Sequence, residues 1–139
     1  MKSLPHYLLA VFFIIGISLS SVASTMDEGE KRLSVRQFER KINKRNTILL
    51  DVRTPEEMQK SHIPGAINLD CLSDNFKAKI EQLDKSKTYL LYCRSGIRAA
   101  KAAAYMKTKG FKKIKLLDGG FQAWTQQNKP TKTIYHAVN

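Results

Sequence analysis

The chain has 139 residues, 42% of them hydrophobic, and a formal net charge of +12. That length supports one compact domain with a real core and excludes two, and two cysteines exclude a disulfide-dense scaffold. The lysines are spread along the chain without aromatic–basic interleaving, so the charge reads as solubilising and no nucleic-acid partner is expected.

Residues 1–23 read as an address. Lys2 precedes an apolar run over residues 7–17, and small polar residues follow. Ser21-Val22-Ala23 places small side chains at the positions a signal peptidase reads, so cleavage before Ser24 is expected. The run is shorter than the roughly 20 residues of a spanning helix, so no stable membrane insertion is expected after cleavage. The mature protein would be exported, most simply to a periplasm, where thiols tend to be oxidised. Residues 24–32 are polar and read as a flexible arm, which leaves 33–139 as the single domain.

Ser34 is a good N-cap for a helix over 35–42, whose apolar residues Val35, Phe38 and Ile42 recur at helical spacing. Residues 47–52 form a short apolar, partly β-branched run and predict a buried strand. Thr54, Pro55 and Glu57 supply a cap, a first-turn proline and a capping-box acid for the next helix. Pro64-Gly65 marks a turn before a short strand at 66–69. An amphipathic helix follows over 76–83, then a strand over 88–93. Residues 98–109 are alanine-rich and stop before Gly110, a helix with a C-terminal glycine. A strand at 114–117 leads through Asp118-Gly119-Gly120 to a helix from Phe121, which Pro130 ends before a short basic tail. Strands alternate with helices throughout. That predicts an α/β fold, with a mainly parallel sheet of about five strands and helices on both faces. Ligands bind such sheets beyond the carboxyl ends of the strands. Asp51, Arg53, Asp70, Cys71, Cys93 and Asp118 fall there.

Cys93-Arg94-Ser95-Gly96-Ile97-Arg98 joins a buried strand to a helix. A cysteine at that turn sits over the helix N-terminus, where unpaired N–H groups and the dipole favour negative charge. Arg94 and Arg98 add positive charge, and Gly96 permits the curvature a cradle needs. The combination favours the anionic, nucleophilic sulfur, and the same donors would hold a persulfide or an oxyanion. A buried cysteine followed by two surface arginines is the plain alternative. Three scattered histidines with cysteines at 71 and 93 give no metal-ligand spacing, and no metal or cofactor is expected.

These residues resemble the rhodanese-like sulfurtransferases, over roughly residues 33–128. The segment from Leu49 to Glu57, continuing through His62-Ile63-Pro64-Gly65-Ala66-Ile67-Asn68, is similar to the family's amino-terminal signature. Residues 92–98 resemble its active-site loop, and Leu117-Asp118-Gly119-Gly120 with Trp124 its carboxyl-terminal block. The resemblance implies that Cys93 takes a sulfur from thiosulfate or a similar small anionic donor and passes it to cyanide, a thiol or another thiophilic acceptor, a protein acceptor included. It implies substrate binding by Arg94, Ser95, Gly96, Ile97 and Arg98, with Asp51, Arg53, Glu57 and His62 in support. Ser61, Asp70 and Ala99 depart from residues common in the family. Related phosphatases and arsenate reductases place five residues between cysteine and arginine; here four intervene, a ring better suited to one sulfur atom. A persulfide carrier or a binding module without turnover stays open. The strand order the resemblance implies sets the strand of Asp51 between those of Cys71 and Cys93, so no ready disulfide between the two is expected.

Overall fold

A computed structural model describes residues 31–134, so the leader segment expected at 1–23 lies outside the described residues. Five strands form one sheet: β1 (Lys31–Leu33), β2 (Thr47–Asp51), β3 (Ile67–Asn68), β4 (Thr88–Tyr92) and β5 (Ile114–Leu117). Their order is β1-β5-β4-β2-β3, and every pairing is parallel. The helices are α1 (Val35–Ile42), α2 (Pro55–Lys60), α3 (Phe76–Glu81), α4 (Ile97–Thr108) and α5 (Gly120–Gln126).

The central strands read as continuous apolar runs because successive side chains go to opposite faces and both faces are covered. Leu50, Leu91 and Leu116 face a core built with Phe76, Ile80 and the alanine side of α4. Leu49, Leu90 and Leu117 face a second core built with Val35, Phe38 and Trp124. Alanines on α4 let that helix lie close to the sheet: Ala99, Ala102 and Ala103 are all buried. The expected caps form. Ser34 accepts from the Gln37 N–H and Thr54 from the Glu57 N–H, each within a reciprocal capping box.

One boundary is corrected. Lys31 and Arg32 belong to β1 rather than to a flexible arm. The strand pairs with β5 through Arg32–Leu116 and Leu33–Leu117, and the Asp118 N–H donates to the Leu33 carbonyl. It is an edge strand of three residues in which only Leu33 is buried, so it has no apolar run to announce it. The basic tail is docked as far as it is described. Lys132 pairs with His62 in an antiparallel bridge, and the Ile134 N–H donates to the Gln59 carbonyl.

Candidate active site

β4 delivers Cys93 to the carboxyl edge of the sheet, and α4 begins four residues later. The thiol is 1% exposed. Its Sγ accepts from the Gly96 N–H at 3.1 Å and from the Ala99 N–H at 3.4 Å. The N–H groups of Ser95, Ile97 and Arg98 have no acceptor among the described residues. Gly96 makes the ring possible, since its φ of 105° is a left-handed conformation that other residues adopt only under strain.

The start of α5 holds this ring from behind. The Phe121 N–H donates to the Cys93 carbonyl at 2.8 Å and the Gln122 N–H to the Arg94 carbonyl at 3.0 Å. Both carbonyls are thereby drawn away from the sulfur, so the loop presents amide hydrogens to it. Gly120 allows the approach. A Cβ there would lie 2.6 Å from both of those carbonyl oxygens, closer than packed atoms come. Arg32 also reaches the loop from β1: its Nη1 lies 3.3 Å from where a Cβ on Gly96 would be. Neither Arg32 nor the Ala99 amide was among the expected site residues. The latter was findable as the third N–H of the helix that opens at Ile97.

The two loop arginines separate. Arg98 is committed to Glu57 in a bidentate pair, Nη1 to Oε2 at 2.7 Å and Nη2 to Oε1 at 2.8 Å. Glu57 Oε2 also accepts from the Thr54 N–H, so the acid that caps α2 fixes the arginine of the loop. Arg94 is exposed at the mouth, as are Ser95 and Ile97. It borders a cleft of about 400 Å³ whose walls include Arg53, Glu57 and Phe121.

Asp51 and Arg53 do not touch the sulfur. They form a buried pair, with Arg53 Nη2 at 2.6 Å from Asp51 Oδ2 and 2.8 Å from the Ser61 carbonyl. The Arg53 guanidinium stacks 4.2 Å over the Phe121 ring and 5.5 Å over Tyr92. Asn68, beyond the expected site residues, ties β3 to the exit of β2 by donating to the Asp51 and Arg53 carbonyls. His62 is buried with Nδ1 3.0 Å from the Met58 carbonyl, where it anchors the end of α2 and the tail rather than the loop. Cys71 and Cys93 are both free thiols, and they follow β3 and β4, the strands either side of β2. Burial pushes the Cys71 thiol up.

The Arg98 guanidinium holds the Glu57 carboxyl at about 2, below its ordinary value of 4.5. A depressed folded-state value means stability that is fully present above about pH 4.5 and is lost as the pH falls toward 2. The urea midpoint of the wild type should therefore fall more steeply across that window than that of Glu57→Gln. Parallel pH profiles for the two proteins would contradict the pair's role. Both side chains are partly exposed, so solvent screening limits the difference.

An open parallel sheet that presents a cysteine in a ring of amides defines a protein built to hold sulfur or a small anion at one point. A model of the family described as the rhodanese-like domain matches residues 34–127. The chain belongs to the rhodanese-like family. It is 34% identical over 98 residues to the thiosulfate sulfurtransferase GlpE of Shewanella oneidensis, a match covering 70% of this chain and 95% of that one. It is 32% identical over 85 residues to a sulfurtransferase of Allochromatium vinosum, covering 61% and 78%. A crystal structure of a rhodanese-related protein from Thermoplasma volcanium superposes with a TM-score of 0.66 at 25% identity, covering 76% of this chain and 99% of that one. Of some longer relatives the chain spans only 23%. Rhodanese-type sulfur transfer is the general chemistry to which these relatives point.

Proposed function

We propose that the protein is a thiosulfate sulfurtransferase working through a persulfide on Cys93. The observation that carries this reading is the sulfur itself. Sγ already accepts two backbone N–H groups inside a ring whose remaining amides are unpartnered. The Cys93 thiolate attacks the outer sulfur of thiosulfate. The new S–S bond forms as the donor's S–S bond breaks, and sulfite leaves with the electron pair. The amides of residues 95–98 then hold the terminal sulfur, which is the kind of preorganised donor set that stabilises developing negative charge. Cyanide or a thiolate takes that sulfur and returns the electron pair to Cys93.

Arg94 is suited to meet the anionic donor at the mouth, because it is exposed beside the ring. Arg98 acts as a brace, because both of its terminal nitrogens are held by Glu57. The four residues between Cys93 and Arg98 fit one sulfur better than a tetrahedral phosphate. Purified protein should release thiocyanate from thiosulfate and cyanide with ping-pong kinetics, and it should leave an aryl phosphate intact. Phosphate ester hydrolysis without thiocyanate release would overturn the reading.

A further inference from the structure

A second pocket of about 260 Å³ lies between α3 and α4 and shares no lining residue with the cleft beside Arg94. Its walls carry three cationic side chains, Lys77, Arg98 and Lys101, and no carboxylate. Arg98 shares its charge with Glu57, but neither lysine has a carboxylate partner among the described residues. Of the nearby acids, Asp70 turns its Oδ1 to the Leu72 N–H, and Glu81 pairs with Lys109 and lies 3.5 Å from the Tyr105 hydroxyl; neither lines the pocket. The rings of Phe76 and Tyr105, with centroids 6.0 Å apart, add apolar surface.

The pocket borders the Cys93 loop. Arg98 belongs both to its wall and to the Cys93 loop, and Ala102, three residues beyond the Ala99 whose N–H donates to Sγ, also lines it. Cys71 lines the pocket and packs against the core cluster that contains Cys93. We propose that this pocket is the acceptor subsite and that Lys77 and Lys101 select small thiols carrying carboxylates. The inference rests on the reading of Cys93 as a persulfide carrier. The volume is below that of most drug-sized ligand sites and suits a small molecule. The cations draw in the acceptor's carboxylates, and the rings cover its carbon atoms. Its thiolate then attacks the outer sulfur of the Cys93 persulfide. The acceptor sulfur bonds to that sulfur, the bond to Sγ breaks with its electron pair passing to Sγ, and Cys93 leaves as thiolate while the acceptor departs as a persulfide anion. Cys71, whose burial keeps it a neutral thiol, adds a soft wall without opposing charge.

The test compares mercaptosuccinate with uncharged 2-mercaptoethanol as acceptors, with thiosulfate as donor. In Lys77→Gln/Lys101→Gln the ratio of the two KM values, mercaptosuccinate over mercaptoethanol, should rise about tenfold, the effect of two partly screened charges. In Lys77→Glu/Lys101→Glu it should rise further. The wild-type ratio should also rise with salt, and more steeply than that of the glutamine variant. A ratio that stays constant across the variants would overturn the proposal. Failure of the Cys93 reading would be seen separately, as wild-type protein that takes up no sulfur from thiosulfate. The subsite is still testable in that event. Mercaptosuccinate titrated into Cys93→Ser should shift amide resonances within 71–77 and 98–105; an absence of shifts there would count against it.

Discussion

Replacing Cys93 by serine is expected to lower thiocyanate release at least about a thousandfold, the scale of losing a nucleophile. The substitution tests chemistry rather than folding. A serine hydroxyl can accept the same Gly96 and Ala99 N–H groups that now point at Sγ. The carbonyls held by α5 belong to the backbone and are unaffected. The urea midpoint should therefore stay close to that of the wild type while turnover disappears. Steady-state assays with thiosulfate and cyanide read the first quantity and equilibrium unfolding the second. Turnover within tenfold of wild type would remove Cys93 from the mechanism.

The largest effect on stability is expected from Asp51→Ala. The Asp51–Arg53 pair is almost fully shielded, with side-chain exposures of 0% and 5%. Removing the carboxylate leaves a guanidinium buried against Phe121 and Tyr92, still donating to the Ser61 carbonyl but without its charged partner. Breaking such a pair from one side costs about 3–5 kcal/mol. Removing both charges, in Asp51→Leu/Arg53→Met, should recover part of that loss, because the desolvated cation goes with its partner. Urea unfolding of the single and double variants measures both quantities. A single variant within about 0.5 kcal/mol of wild type would show that the pair is not a support, since that is the range of ordinary surface changes. Activity should fall with stability in Asp51→Ala. Arg53 packs on Phe121, and the Phe121 N–H holds the Cys93 carbonyl in place.

Much of this was readable in the sequence, for identifiable reasons. β2 and β4 are buried on both faces, so Ile48–Leu50 and Tyr89–Tyr92 form unbroken apolar runs, and β5 interrupts its run only at Lys115. The caps at Ser34 and Thr54 are local, set by residues three apart. The Cys93 loop was legible because its chemistry lies within six consecutive residues. Other features depend on tertiary contacts that leave no local pattern. β1 is defined by its partner β5, and two of its three residues are exposed. Glu57 and Arg98 are 41 positions apart, and only the docking of α2 beside the loop assigns them to each other. Gly119-Gly120 reads in the sequence only as the link into the last helix. The close approach that requires Gly120 exists only because α5 packs its first amides on the loop after β4. His62 illustrates the opposite case. It lies in a segment similar to a family signature, and its contacts serve the end of α2 and the docked tail.

The departures from family residues also gain physical content. Ser61 contributes its backbone carbonyl to Arg53, a role indifferent to its side chain. Ala99 contributes its N–H to Sγ, again a backbone role, and its methyl is buried against the sheet-facing core. Neither change alters the donor set around the sulfur.

The most direct test of the account is the intact mass of the folded protein after brief exposure to thiosulfate and removal of excess reagent. The account predicts a gain equal to one sulfur atom. The gain should map to the peptide carrying Cys93, be released by cyanide, persist in Cys71→Ser and be absent in Cys93→Ser. A protein that gains no sulfur, or that gains it equally in Cys93→Ser, would contradict the assignment of Cys93 as the sulfur carrier.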